Sequence, residues 1–131
     1  MKLINFLMVF TSMVILSCCT TTKKFPVSTT VPAANFSLKK NTDNQKNFVL
    51  EITAENLASA DRLTPPGNNY SVWIVTNENR VKNVGQLVVK NARKSTFKTT
   101  TPYDFSEVFI TVENRGDLEY PVGIEITRMK L

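Results

Sequence analysis

The sequence predicts an all-β fold, an immunoglobulin-like antiparallel β-sandwich of six or seven strands with at most one short helix. Three observations predict it. From Phe36 onward the apolar residues recur with a period of two, the spacing of a strand with one face in a core. The apolar runs are short and separated by clusters of Pro, Gly and Asn, the residues that turn a chain. Only one stretch, Asn56 to Leu63, carries helical spacing, with Leu57, Ala60 and Leu63 three apart.

Phe36-Ser37-Leu38-Lys39 opens the series as a short strand. In the next, Phe48, Leu50, Ile52 and Ala54 alternate with Val49, Glu51, Thr53 and Glu55. Tyr70 to Val75 is apolar on both faces at its centre and reads as a central strand. Gln86-Leu87-Val88-Val89 follows, then the weaker Ser95 to Thr99, suited to an edge. Val108 to Glu113 is a clear strand, and Val122 to Arg128 ends the series. Pro65-Pro66-Gly67-Asn68-Asn69, Asn77-Glu78-Asn79-Arg80 and Asn114-Arg115-Gly116-Asp117 supply the turns. Gly85 and Gly123 fall within strand patterns, where a bulge or a close neighbour is expected, with Trp73 the natural neighbour.

Before this domain the composition changes twice. Met1 to Ser17 has one lysine, an apolar run from Leu3 to Leu16 and a small residue before Cys18, the layout of a secretory signal peptide. The run falls short of the roughly 20 residues that span a bilayer. Ile15-Leu16-Ser17-Cys18 resembles the lipobox of bacterial lipoproteins. That resemblance implies cleavage after residue 17 and acyl chains, palmitate among them, on Cys18, with Cys19 as the neighbouring alternative. Two acyl chains suffice for stable anchoring. No acidic residue follows Cys18 directly, which implies the periplasmic side of the outer membrane in a cell with two membranes. Residues 18–35 are rich in Thr, Ser and Pro and poor in large apolar groups, so they read as a lipidated tether. Residues 36–131 then form the sandwich domain.

Composition narrows the function. The chain has 131 residues, 42% hydrophobic and 21% charged, ordinary for one globular domain. Its formal charge of +5 becomes +4 once Lys2 leaves with the signal. The basic residues are dispersed among acids, not grouped with aromatics on one face, so nucleic acid is not an expected partner. There is no histidine, and the two cysteines sit together at the processing site. Ser-His-Asp and Cys-His catalysis are excluded, as are histidine metal sites. No cofactor is expected, and the domain reads as a non-enzyme.

A second resemblance covers the later strands. Tyr70-x-x-Trp73-Ile74, Val84-Gly85-x-Leu87, Phe105-x-x-Val108-x-Ile110-Thr111-Val112-Glu113 and Pro121-x-Gly123 together resemble the extracytoplasmic C-terminal domain of anti-sigma-K-factor-type regulators. The resemblance implies a β-sandwich with an outer sensing or scaffold role. In those regulators a cytoplasmic sigma-binding segment and a transmembrane helix precede the domain. Here a lipid anchor is expected in that place, so sigma-factor binding does not carry over.

The remaining candidates are surface residues. Tyr103 and Tyr120 stand beside Pro102 and Pro121 in loops and are the expected binding residues. Trp73 and Tyr70 could form a sugar-stacking platform, but an apolar strand centre favours packing between sheets. Glu113, Asp117 and Glu119 cluster near a turn and read as solvating charge, with a loose Ca²⁺ site as the lesser option. The expected partner is an envelope protein. The alternative is a carbohydrate- or peptidoglycan-binding module on the same fold.

Overall fold

The computed structural model describes residues 21–131, which fold into two four-stranded antiparallel sheets facing each other. The strands are β1 (Thr22–Lys24), β2 (Asn35–Thr42), β3 (Phe48–Glu55), β4 (Asn69–Thr76), β5 (Val81–Leu87), β6 (Lys94–Thr101), β7 (Phe105–Glu113) and β8 (Ile124–Lys130). One sheet has the order β1-β2-β3-β6 and the other β5-β4-β7-β8. Leaving out β1, the first, second and fifth strands form one sheet and the remaining four the other. That is an immunoglobulin-like Greek key. The count is eight because β1 adds an edge strand to the expected seven. The helical stretch is one turn of 3₁₀ helix, Ala60–Arg62.

The period-two pattern works as expected in the interior. Leu38, Leu50, Ile52, Val72, Ile74, Val108 and Ile110 are at most 1% exposed and fill the space between the sheets. Each such side chain contributes on the order of 1.5–3 kcal/mol on burial. The opposite face of β3 carries Glu51 and Glu55, which pair across strands with Lys39, Lys98 and Lys94 on a polar outer surface.

Several strand boundaries differ from the sequence pattern: the last strand begins at Ile124, so Val122 and Gly123 precede it, and one strand is displaced by more. The strand after the Asn77–Arg80 turn runs over Val81–Leu87, so Val88 and Val89 lie beyond it and Val88 is exposed. A register shift between Val72 and Trp73 and a φ of 140° at Gly85 show why this strand lacks regular alternation. Gly85 makes room for the Phe97 ring of β6, not for Trp73. This contact joins the two sheets along one side.

The segment expected to be a tether is instead part of the fold from Thr22 onward. Phe25 packs edge-on against Phe36 at 6.1 Å, and Val31 and Ala34 are buried with it. The buried Ser28 hydroxyl accepts the Thr30 and Val31 amides, closing a local turn. Thr127 of β8 donates to the Pro26 carbonyl. Residues 25–34 therefore cross from the β1 edge of one sheet to the β8 edge of the other. Cys18 lies outside the described residues, and among those described no helix is long and apolar enough to cross a membrane.

Candidate functional site

The β7–β8 connection, residues 114–123, folds back over the outer face of the β5-β4-β7-β8 sheet. That face carries two large aromatic rings among polar side chains. Trp73 of β4 and Phe109 of β7 are cross-strand partners, and their rings stack with centroids 6.2 Å apart. The Arg128 guanidinium lies 4.0 Å from the Phe109 ring on the other side, held by Glu125 and Glu107. Trp73 is fully buried, yet it points away from the interior that the two sheets share. The expectation of a tryptophan packed between sheets is thus corrected: it is core, but of a second layer beneath a loop.

A hydrogen-bonded chain runs along this layer. The Trp73 indole N–H donates to the Thr111 hydroxyl at 2.8 Å, and that hydroxyl donates to Glu113 Oε1 at 2.7 Å. The same oxygen accepts the Val122 backbone amide at 3.2 Å. Glu113 is 2% exposed, so it is not the solvating charge that its place near a turn implied. Its second oxygen, and the neighbouring Ser71 hydroxyl, are buried with no partner among the described residues. Farther along, the Asn83 amide donates to the Gly116 and Leu118 carbonyls at 3.0 Å each. The loop is therefore tied to the sheet at two places, by the buried Glu113 carboxylate and the half-buried Asn83 amide.

What this scaffold holds outward is apolar. Tyr120, Val122 and Ile124 are 71%, 79% and 41% exposed. Val122 and Ile124 share a cleft of about 340 Å³ with Pro65 and Pro66. Gly123 passes so close to the Val112 carbonyl that a Cβ there would lie 1.7 Å from it, which explains the glycine between two exposed aliphatics.

Tyr103 stands at the other end of the sandwich, in the β6–β7 loop. It borders a second cleft of about 310 Å³ with Asn77, Glu78, Arg80 and Asp104. The Lys82 ammonium lies 4.4 Å from its ring centroid. Beside it Lys40 closes the end of the core. Its ammonium donates to Asp104 at 2.6 Å and to the Phe105 carbonyl at 3.0 Å, over the rings of Phe105 and Phe48. The two candidate tyrosines are both exposed, but they belong to opposite ends and form no common site.

Tyr70 is buried, and its hydroxyl donates to the Ala58 carbonyl at 2.6 Å. It offers no platform. Among the described residues no group of three acidic, cysteine or histidine side chains is placed to hold a metal ion. No protein-family model, no curated protein and no solved structure matches this chain.

Proposed function

We propose that this chain is a lipid-anchored cell-envelope lipoprotein whose sandwich is a non-enzymatic binding or scaffold domain for an envelope protein. In this it resembles the outer sensing domain of anti-sigma regulators. The anchor is the acylated Cys18, on the outer membrane facing the periplasm in a cell with two membranes. The observation that carries the binding role is the exposed run Tyr120, Val122 and Ile124 beside Pro65 and Pro66. Loops normally expose polar side chains, and contiguous exposed apolar groups mark contact surfaces. This patch is also pre-organised, because Glu113 and Asn83 hold the loop from beneath. A rigid patch loses little entropy on binding.

The glycan-binding alternative calls for coplanar exposed aromatics on one face. The only parallel aromatic pair among the described residues, Trp73 and Phe109, lies under the loop. Tyr103 stands alone, with a lysine over its ring. A photo-crosslinking residue at Val122, set against one at Lys98 on the polar outer face, tests the proposal in growing cells. A discrete protein adduct from Val122 alone, lost in Tyr120→Ser, supports it. Adducts from both positions alike, or peptidoglycan retention by the purified protein, overturn it.

A further inference from the structure

We infer that the domain stands on the bilayer with one defined end down: the end formed by the β2–β3, β4–β5 and β6–β7 loops rests against anionic lipid headgroups. This rests on the reading of Cys18 as the lipidated residue. Chain length and chain direction decide which end this is. Thr22 already lies in a sheet, paired with Lys39, and β1 runs antiparallel to β2 so that Lys24 pairs with Ser37. Traced backward from Thr22, the chain therefore heads toward Thr42 and the β2–β3 turn. Thr22 sits three residues short of the end of β2, about 10 Å at strand rise. Four residue steps separate it from Cys18, a reach of at most about 14 Å. The anchor can extend only a few ångströms past Thr42, which places it level with the loops of that end. With the opposite end down, the same four steps would have to double back along the full remaining strand.

The chemistry of the end fits a lipid surface. Lys46 and Arg80 are exposed on its two turns, and Lys82 and the half-exposed Tyr103 stand together beside them. Lys130 ends β8 nearby, and Lys40 is paired with Asp104. The acids at this end are Asp43, Glu78, Asp104 and Glu107, the last level with Lys130. Arg80 is paired with Glu78, and the basic groups exceed the acids by one, with the exposed Lys46 and the half-exposed Lys82 as the surplus. Tyrosine is suited to the headgroup layer, and basic residues to an anionic surface. The placement leaves the apolar patch at Val122 and Ile124 pointing away from the membrane.

The test uses the full lipoprotein in a Cys19→Ser background, so that an introduced cysteine is the one free thiol. Single variants Gln45→Cys, Glu78→Cys, Thr29→Cys, Asp61→Cys and Ala92→Cys carry a fluorophore. The protein is reconstituted into phosphatidylethanolamine–phosphatidylglycerol vesicles with a headgroup-linked quencher. Labels at Gln45 and Glu78 should be quenched severalfold more than those at Asp61, Ala92 and Thr29. Equal quenching at all five sites, or stronger quenching at Asp61 or Ala92, overturns the orientation. Quenching at Thr29 equal to that at Gln45 replaces it with an edge-down arrangement and overturns it as well. The triple variant Lys46→Glu/Arg80→Glu/Lys82→Glu should lower the contrast with phosphatidylglycerol present and leave it unchanged with phosphatidylcholine alone. No change in either overturns the headgroup contact. Failure of the anchor itself is visible separately, as a protein that mass spectrometry finds without acyl chains and that never enters the membrane fraction.

Discussion

Trp73 stacks on Phe109 across the β4–β7 pair, within 13° of parallel, on the face of the sheet turned away from the sandwich interior. The pair gives the loop over residues 114–123 an apolar bed. Stability of the fold and shape of the exposed patch are thereby coupled through one residue.

Trp73→Ala should cost about 3–5 kcal/mol, as large-to-small changes at buried aromatics do. It also removes the donor to Thr111. Trp73→Phe keeps the stack and loses the hydrogen bond, so its cost should be smaller by more than half. Thermal melts of the two variants test this. Similar melting temperatures for Trp73→Ala and the wild type would refute the second core.

Glu113 acts as a fastener. Glu113→Ala leaves the buried Thr111 hydroxyl and the partly buried Val122 amide without their acceptor, at about 1–3 kcal/mol for the buried hydroxyl. The Val122 amide should then lose protection in hydrogen exchange, while amides in β3 keep theirs. Glu113→Gln retains one acceptor oxygen and should lose clearly less stability. Equal losses in both variants would mean that the contact at Oε1 carries no weight.

Much of this architecture is legible in the chain. β3 alternates cleanly because it has one face in the shared interior, and the Asn- and Gly-rich turns fall where strands end. The face of Trp73 is not legible. Tyr70 to Val75 is apolar on both sides, so its period does not say which side meets the other sheet. That is settled by a loop some forty residues later in the chain. Glu113 is hidden for the same reason: a carboxylate next to a turn is ordinarily solvated, and its burial depends on residues 114–123 returning over it. Phe25, Val31 and Ala34 follow no period because they dock against strand edges rather than lying within a sheet. The exposure of Tyr103 and Tyr120 could be read from their loops, but not their separation, which the strand directions set.

Lys40 and Asp104 should give the domain an acid-sensitive end. The hydrogen bond from the Lys40 ammonium, with smaller help from the Phe105 amide and Asn77, holds the Asp104 carboxyl below the usual carboxylate range. A folded value below the unfolded one stabilises the fold above about pH 4 and is lost as the pH falls through the folded value. Denaturant melts below about pH 4 should therefore fall less steeply for Asp104→Asn than for the wild type. The carboxylate is partly exposed, so the difference will shrink with added salt. Lys40→Met keeps the apolar stem but gives up the contacts with two rings, a loss of about 1–2 kcal/mol. Identical acid limbs would show that the pair is energetically silent.

Tyr70 should give a matching signature in alkali. Its hydroxyl sits in the core, and burial, with the nearby charge of Asp61 adding, pushes its pKa up to about 12. In the unfolded chain a tyrosine ionises near pH 10. The folded value is the higher one, so the contribution of Tyr70 to stability is complete below about pH 10. It is lost as the pH rises from there to about 12, where the unfolded state gives up its proton first. A phenolate absorbance titration should show one late component in the wild type that is missing from Tyr70→Phe. Between about pH 10 and 12 the wild type should also lose stability more steeply than the variant. At neutral pH the variant should be weaker by about 1 kcal/mol, since the Ala58 carbonyl loses its donor. A late component that persists in Tyr70→Phe would place the buried hydroxyl on another tyrosine and remove the basis for this assignment.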